Sequence, residues 1–88
     1  MKTDFKKSFA RDLKKIKDKH LLRQVKEAIE EVEKAPNLQM IGDLKQLKGG
    51  GIYFRIKIGD YRIGLKLEGD MFIFVRFLHR REIFRYFP

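Results

Sequence analysis

The stretch from Ile52 to Leu67, IYFRIKIGDYRIGLKL, determines how the rest of the chain folds. Apolar and polar residues alternate on both sides of Gly59-Asp60, and alternation at a period of two is typical of half-buried β-strands. A tight turn at Gly59-Asp60 predicts a single antiparallel register, because a slip by one residue would move every apolar side chain to the other face. The apolar face of this predicted hairpin consists of four cross-strand pairs: Ile58 with Tyr61, Ile56 with Ile63, Phe54 with Leu65 and Ile52 with Leu67.

The opposite face of the hairpin is rich in cations. We call it the cationic face, and its predicted members are Tyr53, Arg55, Lys57, Arg62 and Lys66, with Gly64 between them. Clustered cations on an open sheet face are typical of a surface that binds polyanions. A solvated strand face without a ligand would carry the same residue types, so the pattern leaves both interpretations open.

Composition narrows the class of protein. The 88 residues carry a formal charge of +9, and residues 45–88 hold ten basic and only four acidic side chains. This excess indicates a nucleic acid, an acidic protein or a membrane surface as partner. The chain has no cysteine, which excludes disulfides and thiolate metal sites. A single domain spanning residues 1–88 is expected.

The chain has no segment that predicts a membrane span or a signal peptide. Its longest apolar run, Met71 to Val75, is far too short to cross a bilayer. The N-terminus lacks the apolar core of a secretory signal. A cytoplasmic protein with no membrane partner is therefore expected.

The N-terminal half predicts two helices. Apolar residues at helical spacing, namely Phe5, Phe9, Leu13 and Ile16, predict a helix from Asp4 to about Lys17, with Thr3 or Asp4 as its N-cap. A second helix follows a break at residues 18–20 and ends by Ala35, because Pro36 disfavours helical geometry in the residue before it. Two helices joined by so short a link predict an antiparallel hairpin.

Residues 37–51 are predicted to be a connector. Its run Gly49-Gly50-Gly51 lacks the Gly-Lys-Ser/Thr and the following helix of a P-loop, so a flexible joint is the favoured interpretation. The fold class that follows is α+β, with the helical hairpin packed on one face of a twisted, mainly antiparallel sheet of three to four strands.

A third strand from Met71 to about Leu78 completes the predicted sheet. A two-residue loop before it would bury Arg76 without a partner, at a cost of several kcal/mol. A three-residue loop, Glu68 to Asp70, is therefore predicted. It places Ile73, Val75 and Phe77 in the core and adds Phe72, Phe74, Arg76 and Arg80 to the cationic face.

The C-terminal segment from His79 to Pro88 is too short for another packed layer. Its apolar residues Ile83, Phe84 and Phe87 are expected to fold back against the sheet edge, while Arg80, Arg81 and Arg85 remain solvated. A histidine at a strand end is more often structural than catalytic, and we assign His79 accordingly. Because His20 and His79 lie in different segments without companion ligands, no metal site is expected.

The cationic face suits one kind of reaction. Cleavage of RNA by its own 2′-hydroxyl requires a proton acceptor, cations around the phosphate and a proton donor to the leaving 5′-oxygen. Lysine can accept a proton when neighbouring cations favour its neutral form, and arginine matches phosphate oxygens with a fork of donors. On residue types alone, phosphate binding without chemistry is favoured over catalysis.

Several segments together resemble one family. The basic helical pair, LKQLKGG, YFRIKIGDYRIGL and FLHRREIFRYF are similar to the RelE/ParE superfamily of bacterial and archaeal type II toxins. Members of the RelE branch are ribosome-dependent mRNA endoribonucleases that need no metal or cofactor and are held inactive by an antitoxin that wraps them. Members usually begin with a strand, which in this chain is expected to be short or absent.

The resemblance also implies roles for individual residues. Lys57 resembles the general base, Arg62 a cation that stabilises the phosphate and Arg80 the general acid. Arg55 matches the first of the family's two strand cations and is counted with the catalytic residues. The family's C-terminal tyrosine, which stacks on RNA, corresponds to Phe84, which can stack but cannot donate a hydrogen bond. Together with Phe84, the RNA contacts predicted from the connector, the cationic face and the tail are Lys48, Tyr53, Lys66, Arg76, Arg81 and Arg85.

The implied partners are a cognate antitoxin with an acidic or partly disordered segment, the ribosome and mRNA. Two alternatives remain open. One is a non-catalytic toxin of the ParE kind that inhibits DNA gyrase. The other is a degenerate member that only binds its antitoxin.

Overall fold

The computed structural model describes residues 1–47 and 51–88, so Lys48 and the predicted joint at Gly49-Gly50 lie outside the described residues. The elements are β1 (Lys2–Phe5), α1 (Lys7–Lys14), α2 (Lys19–Lys34), β2 (Leu44–Gln46), β3 (Tyr53–Ile58), β4 (Tyr61–Glu68), β5 (Met71–His79) and α3 (Arg80–Tyr86). A single turn of 3-10 helix at Leu38–Met40 precedes β2.

The strands form one sheet in the order β1, β5, β4, β3, β2. β1 runs parallel to β5, and all other neighbours are antiparallel. The predicted α+β fold with helices packed on a mainly antiparallel sheet is confirmed, but the sheet has five strands rather than three or four. No helix in residues 1–47 and 51–88 is long and apolar enough to cross a membrane.

The two additional strands lie at the sheet edges. β1 occupies residues that were predicted to begin the first helix, so the predicted cap at Thr3 or Asp4 is wrong and α1 starts only at Lys7. β1 forms because its backbone pairs with β5, and Phe5 stacks on Phe74 with ring centroids 5.1 Å apart. β2 lies within the predicted connector and pairs with β3 from Leu44 to Gln46.

The helix α2 ends where the sequence predicts, but it begins inside the predicted break at residues 18–20. It runs from Lys19 to Lys34, and Ala35 follows it in an extended conformation before Pro36. The Asp18 carboxylate accepts hydrogen bonds from the backbone N–H groups of His20 and Leu21, at 2.9 and 3.1 Å. Asp18 therefore acts as the N-cap, satisfying two donors that have no partner inside the helix.

The main core lies between the helices and one face of the sheet. Its members include Phe9 from α1, Val25 and Val32 from α2, and the apolar face of the hairpin. The predicted pairs Ile58 with Tyr61, Ile56 with Ile63 and Phe54 with Leu65 are confirmed. Because each pair is fixed by the turn at Gly59-Asp60, the cationic face of the hairpin points away from α1 and α2.

The observed register between β4 and β5 differs from the predicted one. Glu68 pairs with Met71, so the loop is Gly69-Asp70 rather than three residues, and Gly69 adopts a positive φ of 62°. Phe72 and Phe74 consequently point into the core, where both are fully buried, instead of joining the cationic face.

A β-bulge then changes the alternation along β5. Leu65 pairs with Phe74, but Gly64 pairs with Arg76, which leaves Val75 as the extra residue. The bulge returns Phe77 to the core and keeps Arg76 out of it. The predicted core position of Phe77 is therefore confirmed. Ile73 is buried as predicted, at 5% exposure, but on the opposite face of the sheet, whereas Val75 is only partly buried and its predicted core position is wrong.

Candidate nucleic-acid interface

Three arginines converge at one end of the cationic face. We call Arg55, Arg62 and Arg80 the arginine cluster; they come from β3, β4 and the start of α3. Partial burial lowers the pKa of Arg62 from its ordinary value, and the positive charges of Arg55 and Arg80 lower it further. The nearby Asp60 carboxylate acts in the opposite direction. Arg62 therefore lies within electrostatic reach of both other members of the cluster.

The Arg62 side chain is held in a defined orientation. Its Nη1 donates hydrogen bonds of 2.8 Å to the carbonyl oxygens of Gly59, in the hairpin turn, and of Tyr61, which follows the turn. A guanidinium has N–H donors on all three of its nitrogens. The donors on Nε and Nη2 thus remain oriented for an anionic ligand such as a phosphate.

Lys57 lies directly opposite Arg62 in the register of β3 and β4. Facing positions on adjacent strands bring side chains within about 5 Å at Cβ. Lys57 is exposed, whereas Arg55 and Arg62 are partly buried. A proton acceptor at Lys57 would therefore be accessible to a ligand bound at the arginine cluster.

Arg80 is positioned by the first turn of α3. Its backbone N–H donates to the carbonyl oxygen of Asp60 at 2.8 Å, which ties the start of the helix to the β3–β4 turn. The Nδ1 atom of His79 accepts a hydrogen bond from the N–H of Arg81 at 3.2 Å, so His79 caps the helix. This structural role agrees with the interpretation of His79 as a structural histidine.

The end of α3 covers a second part of the cationic face. Phe87 is buried, and its ring lies over Gly64, where an added Cβ would come within 2.8 Å of the ring carbons. Its ring also meets Tyr53 edge-on, with centroids 5.6 Å apart. The C-terminal segment therefore packs on the sheet face rather than at the predicted sheet edge, because Gly64 leaves room for an aromatic ring.

This packing separates the apolar residues of the tail. Ile83 and Phe87 are buried as predicted, but Phe84 is 77% exposed and does not pack on the sheet. Arg81 and Arg85 are exposed on the same helix. Phe84 therefore presents a free aromatic ring between two cations, an arrangement suited to stacking on a nucleic-acid base.

Two other side chains that were predicted to contact RNA, Lys66 and Arg76, form ion pairs within the protein. Lys66 forms an ion pair of 3.0 Å with Glu68. Arg76 lies beside α1 and donates to both carboxylate oxygens of Asp12, at 2.7 and 3.2 Å. These bonds to Asp12 raise the pKa of Arg76, so it stays charged and paired. We therefore do not include Arg76 and Lys66 among the proposed RNA contacts, and Lys48 lies outside the described residues.

Asp12 is the residue that sequence reasoning missed. It is 6% exposed, and besides binding Arg76 its carboxylate accepts a hydrogen bond from the N–H of Phe77 at 3.0 Å. An available signal was its position three residues after Phe9, on the apolar stripe of α1. A carboxylate at such a position requires a partner, because burying an unpaired charge is costly.

Comparison with known proteins identifies close relatives. Residues 4–84 match the model of a family described as the ParE toxin of type II toxin-antitoxin systems. The chain is 43% identical to toxin RelE3 of Methanocaldococcus jannaschii, and the match covers 100% of both chains.

Two solved structures of antitoxin-toxin complexes contain a chain with the same fold. The toxin in a RelB-RelE antitoxin-toxin complex from Methanococcus jannaschii is 41% identical, with a TM-score of 0.80 over 97% of this chain and 99% of that one. An archaeal RelE-RelB complex from Pyrococcus horikoshii is 20% identical, with a TM-score of 0.72 over 90% of this chain and 93% of that one. At 20% identity the second likeness concerns the fold alone.

Proposed function

The chain belongs to the RelE/ParE superfamily of type II toxins, and we propose that it is a ribosome-dependent mRNA endoribonuclease. In this proposal the protein acts in the cytoplasm and cleaves mRNA in the ribosomal A site, which stops translation. The reaction uses the 2′-hydroxyl of the RNA itself as nucleophile and needs no metal or other cofactor.

The members of the site have three roles in the proposed reaction. Lys57 accepts the proton of the 2′-hydroxyl, and the resulting oxygen attacks the adjacent phosphorus. Arg62 and Arg55 stabilise the negative charge that develops on the phosphate oxygens. Arg80 donates a proton to the 5′-oxygen as its bond to phosphorus breaks. The products are a 2′,3′-cyclic phosphate and a 5′-hydroxyl end.

The observation that carries the proposal is the arginine cluster with Lys57 beside it. Like charges repel, so bringing three guanidinium groups together costs free energy unless an anion binds among them. The nearest compensating carboxylate, Asp60, only partly offsets the effect of Arg55 and Arg80 on Arg62. An ionisable group that is perturbed by burial and by neighbouring like charges, as Arg62 is, is typical of functional sites.

Cleavage of mRNA on translating ribosomes tests the proposal. The wild-type protein should produce new 5′ ends within A-site codons, and Lys57→Ala, Arg62→Ala and Arg80→Ala should each slow cleavage by about 10²- to 10³-fold, the loss typical of removing one oxyanion donor. Lys26→Ala is the matched control, since Lys26 is an exposed cation on α2. The proposal fails if folded wild-type protein yields no new ends, or if the Lys26 variant loses as much activity as the others.

An antitoxin is the proposed regulatory partner. The similar structures from Methanococcus jannaschii and Pyrococcus horikoshii are complexes of RelE with RelB. A chain with a charge of +9 should attract an acidic, partly disordered segment that gains ion pairs as it becomes ordered. Co-expression with the product of a neighbouring antitoxin gene should yield a stable complex that no longer cleaves mRNA.

Inhibition of DNA gyrase is the second candidate function, because the matching family model is that of the ParE toxin. A supercoiling assay separates the two candidates. Gyrase inhibition at near-stoichiometric protein, without mRNA cleavage, would favour this candidate. The absence of both activities in a protein that still binds its antitoxin would identify a degenerate member.

A further inference from the structure

A cavity of about 270 Å³ lies on the helical side of the sheet, at the same end as the arginine cluster. We call it the end cavity, and its lining includes Lys15, Ile16, Tyr61, Phe77, His79 and Glu82. Tyr61 and His79 face each other in the pairing of β4 with β5. Their chain neighbours Asp60 and Arg80 are hydrogen-bonded to each other, so the cavity and the cluster meet at one edge.

One side of the end cavity is aromatic. The ring of Tyr61 stacks on Phe77, with centroids 5.0 Å apart and an interplanar angle of 16°. His79 meets Tyr61 edge-on at 5.4 Å. Phe77 is fully packed, whereas Tyr61 and His79 are partly exposed. The cavity therefore offers a rigid aromatic surface, which favours a flat ligand that can stack.

Some polar groups at the end cavity are hydrogen-bonded within the protein, and others can bind a ligand. Asp12 also borders it, but its carboxylate is occupied by Arg76 and the N–H of Phe77. Because His79 Nδ1 accepts a hydrogen bond from Arg81, the neutral imidazole carries its hydrogen on Nε2 and can donate from there. Lys15 and Glu82 are exposed side chains, the first a donor and the second an acceptor.

We propose that the end cavity binds a base of the RNA substrate next to the phosphate held by the arginine cluster. The proposal rests on the ribonuclease function proposed above, since it assigns the base to the same RNA strand. A stacking surface with donors and an acceptor at its rim matches the edge of a nucleobase. The Glu82 carboxylate makes the cavity unsuitable for a second phosphate, because like charges repel.

Glu82 also predicts which bases bind. Adenine, cytosine and guanine each carry an exocyclic amino group that can donate to a carboxylate, whereas uracil presents carbonyl oxygens at the corresponding positions. The end cavity should therefore prefer amino-bearing bases to uracil. Lys15 and the Nε2–H of His79 can donate to acceptors on the same base edge.

Nucleosides test binding without a phosphate and without the ribosome. In NMR titrations of the wild-type protein, cytidine and adenosine should shift the resonances of Tyr61 and His79 more strongly than their oxo counterparts uridine and inosine. The Glu82→Gln variant should reduce this difference, and Glu30→Gln, which changes an exposed carboxylate on α2, should not. Equal or absent shifts for all four nucleosides in the wild-type protein would overturn the proposal.

The cleavage pattern provides a second and independent measurement. On a pool of mRNA sequences, Glu82→Gln should raise the share of cleavage next to uracil by about fivefold to a hundredfold, the range for losing one specific base contact. If the variant cleaves with an unchanged sequence profile, the base-binding proposal is wrong while the ribonuclease function stands. If the wild-type protein does not cleave at all, the ribonuclease function is wrong, and the nucleoside titration alone decides whether the end cavity binds bases.

Discussion

Replacing Gly64 by alanine should displace the C-terminal end of α3 from the sheet. The added Cβ would lie 2.8 Å from two carbons of the Phe87 ring and 2.9 Å from a third. Carbon atoms in contact normally lie about 3.5–4.0 Å apart, so the ring would have to move by roughly 1 Å. The described glycines with a positive φ are Gly51, Gly59 and Gly69. Gly64 is not one of them, so alanine suffers no backbone strain there.

The size of the effect follows from two opposing terms. Overpacking a well-filled site costs about 1–3 kcal/mol, while replacing a strand glycine by alanine gains about 0.5–1 kcal/mol of conformational entropy. A net loss of about 1–2 kcal/mol remains, which corresponds to a fall in Tm of roughly 5–15 °C for a domain of this size. The Phe87 ring also meets Tyr53 edge-on, so moving it disturbs that contact as well.

Thermal and urea unfolding of four proteins would measure this coupling: wild type, Gly64→Ala, Phe87→Ala and the double variant. Because the three atoms nearest to the added Cβ all belong to Phe87, the double variant should be no less stable than Phe87→Ala alone. Gly42→Ala is the matched control, since its Cβ would approach only the end of the Glu31 side chain, at 3.2 Å. Additive losses in the double variant, or an unchanged Gly64→Ala protein, would refute the reasoning.

Three further substitutions test other parts of the structure. Asp12→Ala should cost about 3 kcal/mol in urea unfolding, at the lower end for a broken buried pair because the Arg76 side chain is 26% exposed; if the loss is below 1 kcal/mol, the pair does not stabilise the fold. Asp18→Ala should cost about 1 kcal/mol of unfolding free energy by removing the N-cap of α2, and Asp18→Asn should restore most of it. Phe84→Ala should change stability by less than about 0.5 kcal/mol because the ring is exposed. The same variant should weaken RNA binding by about 1–3 kcal/mol in a fluorescence titration if Phe84 stacks on a base, and unchanged binding would exclude that role.

The β3–β4 hairpin could be predicted residue by residue. Alternation at a period of two and the turn at Gly59-Asp60 allow a single register, and the observed pairs from Ile58 with Tyr61 to Phe54 with Leu65 follow it. The positions of Arg55, Lys57 and Arg62 on one face are a direct consequence of the same local pattern.

The β4–β5 hairpin could not be predicted in this way. A two-residue loop was rejected because it would have buried Arg76 alone, yet the chain has that loop and avoids the cost by two means. The bulge at Val75 redirects Arg76, and Asp12 from α1 neutralises it. The bulge and the ion pair both depend on residues that lie far apart in sequence. The apolar periodicity within a single segment therefore cannot predict them.

The start of the first helix was predicted wrongly for a related reason. Phe5 has the spacing from Phe9 that a helical stripe requires, and local pattern therefore favours helix. The backbone of β1 instead pairs with β5 across more than sixty residues of sequence, from Lys2 with Met71 to Phe5 with Phe74. Such parallel pairing has no local signal, because its partner strand supplies the stabilising hydrogen bonds.

The candidate site was likewise predictable only where local sequence determines the position of a residue. The sequence predicted Arg80 on the same face as Arg55, Lys57 and Arg62, but from a register of β5 that is wrong. The position of Arg80 beside Arg62 depends instead on the start of α3 and its hydrogen bond to Asp60. The exposure of Phe84 likewise depends on Phe87 packing over Gly64. These contacts are tertiary, so the sequence indicated the residue types of the site but not their final arrangement.

The most direct test of the proposed function removes the nucleophile from the RNA. Ribosomes programmed with an mRNA that carries a single 2′-deoxynucleotide at the cleaved position should show no cleavage, while the all-RNA message is cut to give a 5′-hydroxyl end. Arg62→Ala should slow cleavage of the all-RNA message by about 10²- to 10³-fold. Equal cleavage of both messages by the wild-type protein would contradict attack by the 2′-hydroxyl, and an undiminished rate for Arg62→Ala would contradict the role of the arginine cluster.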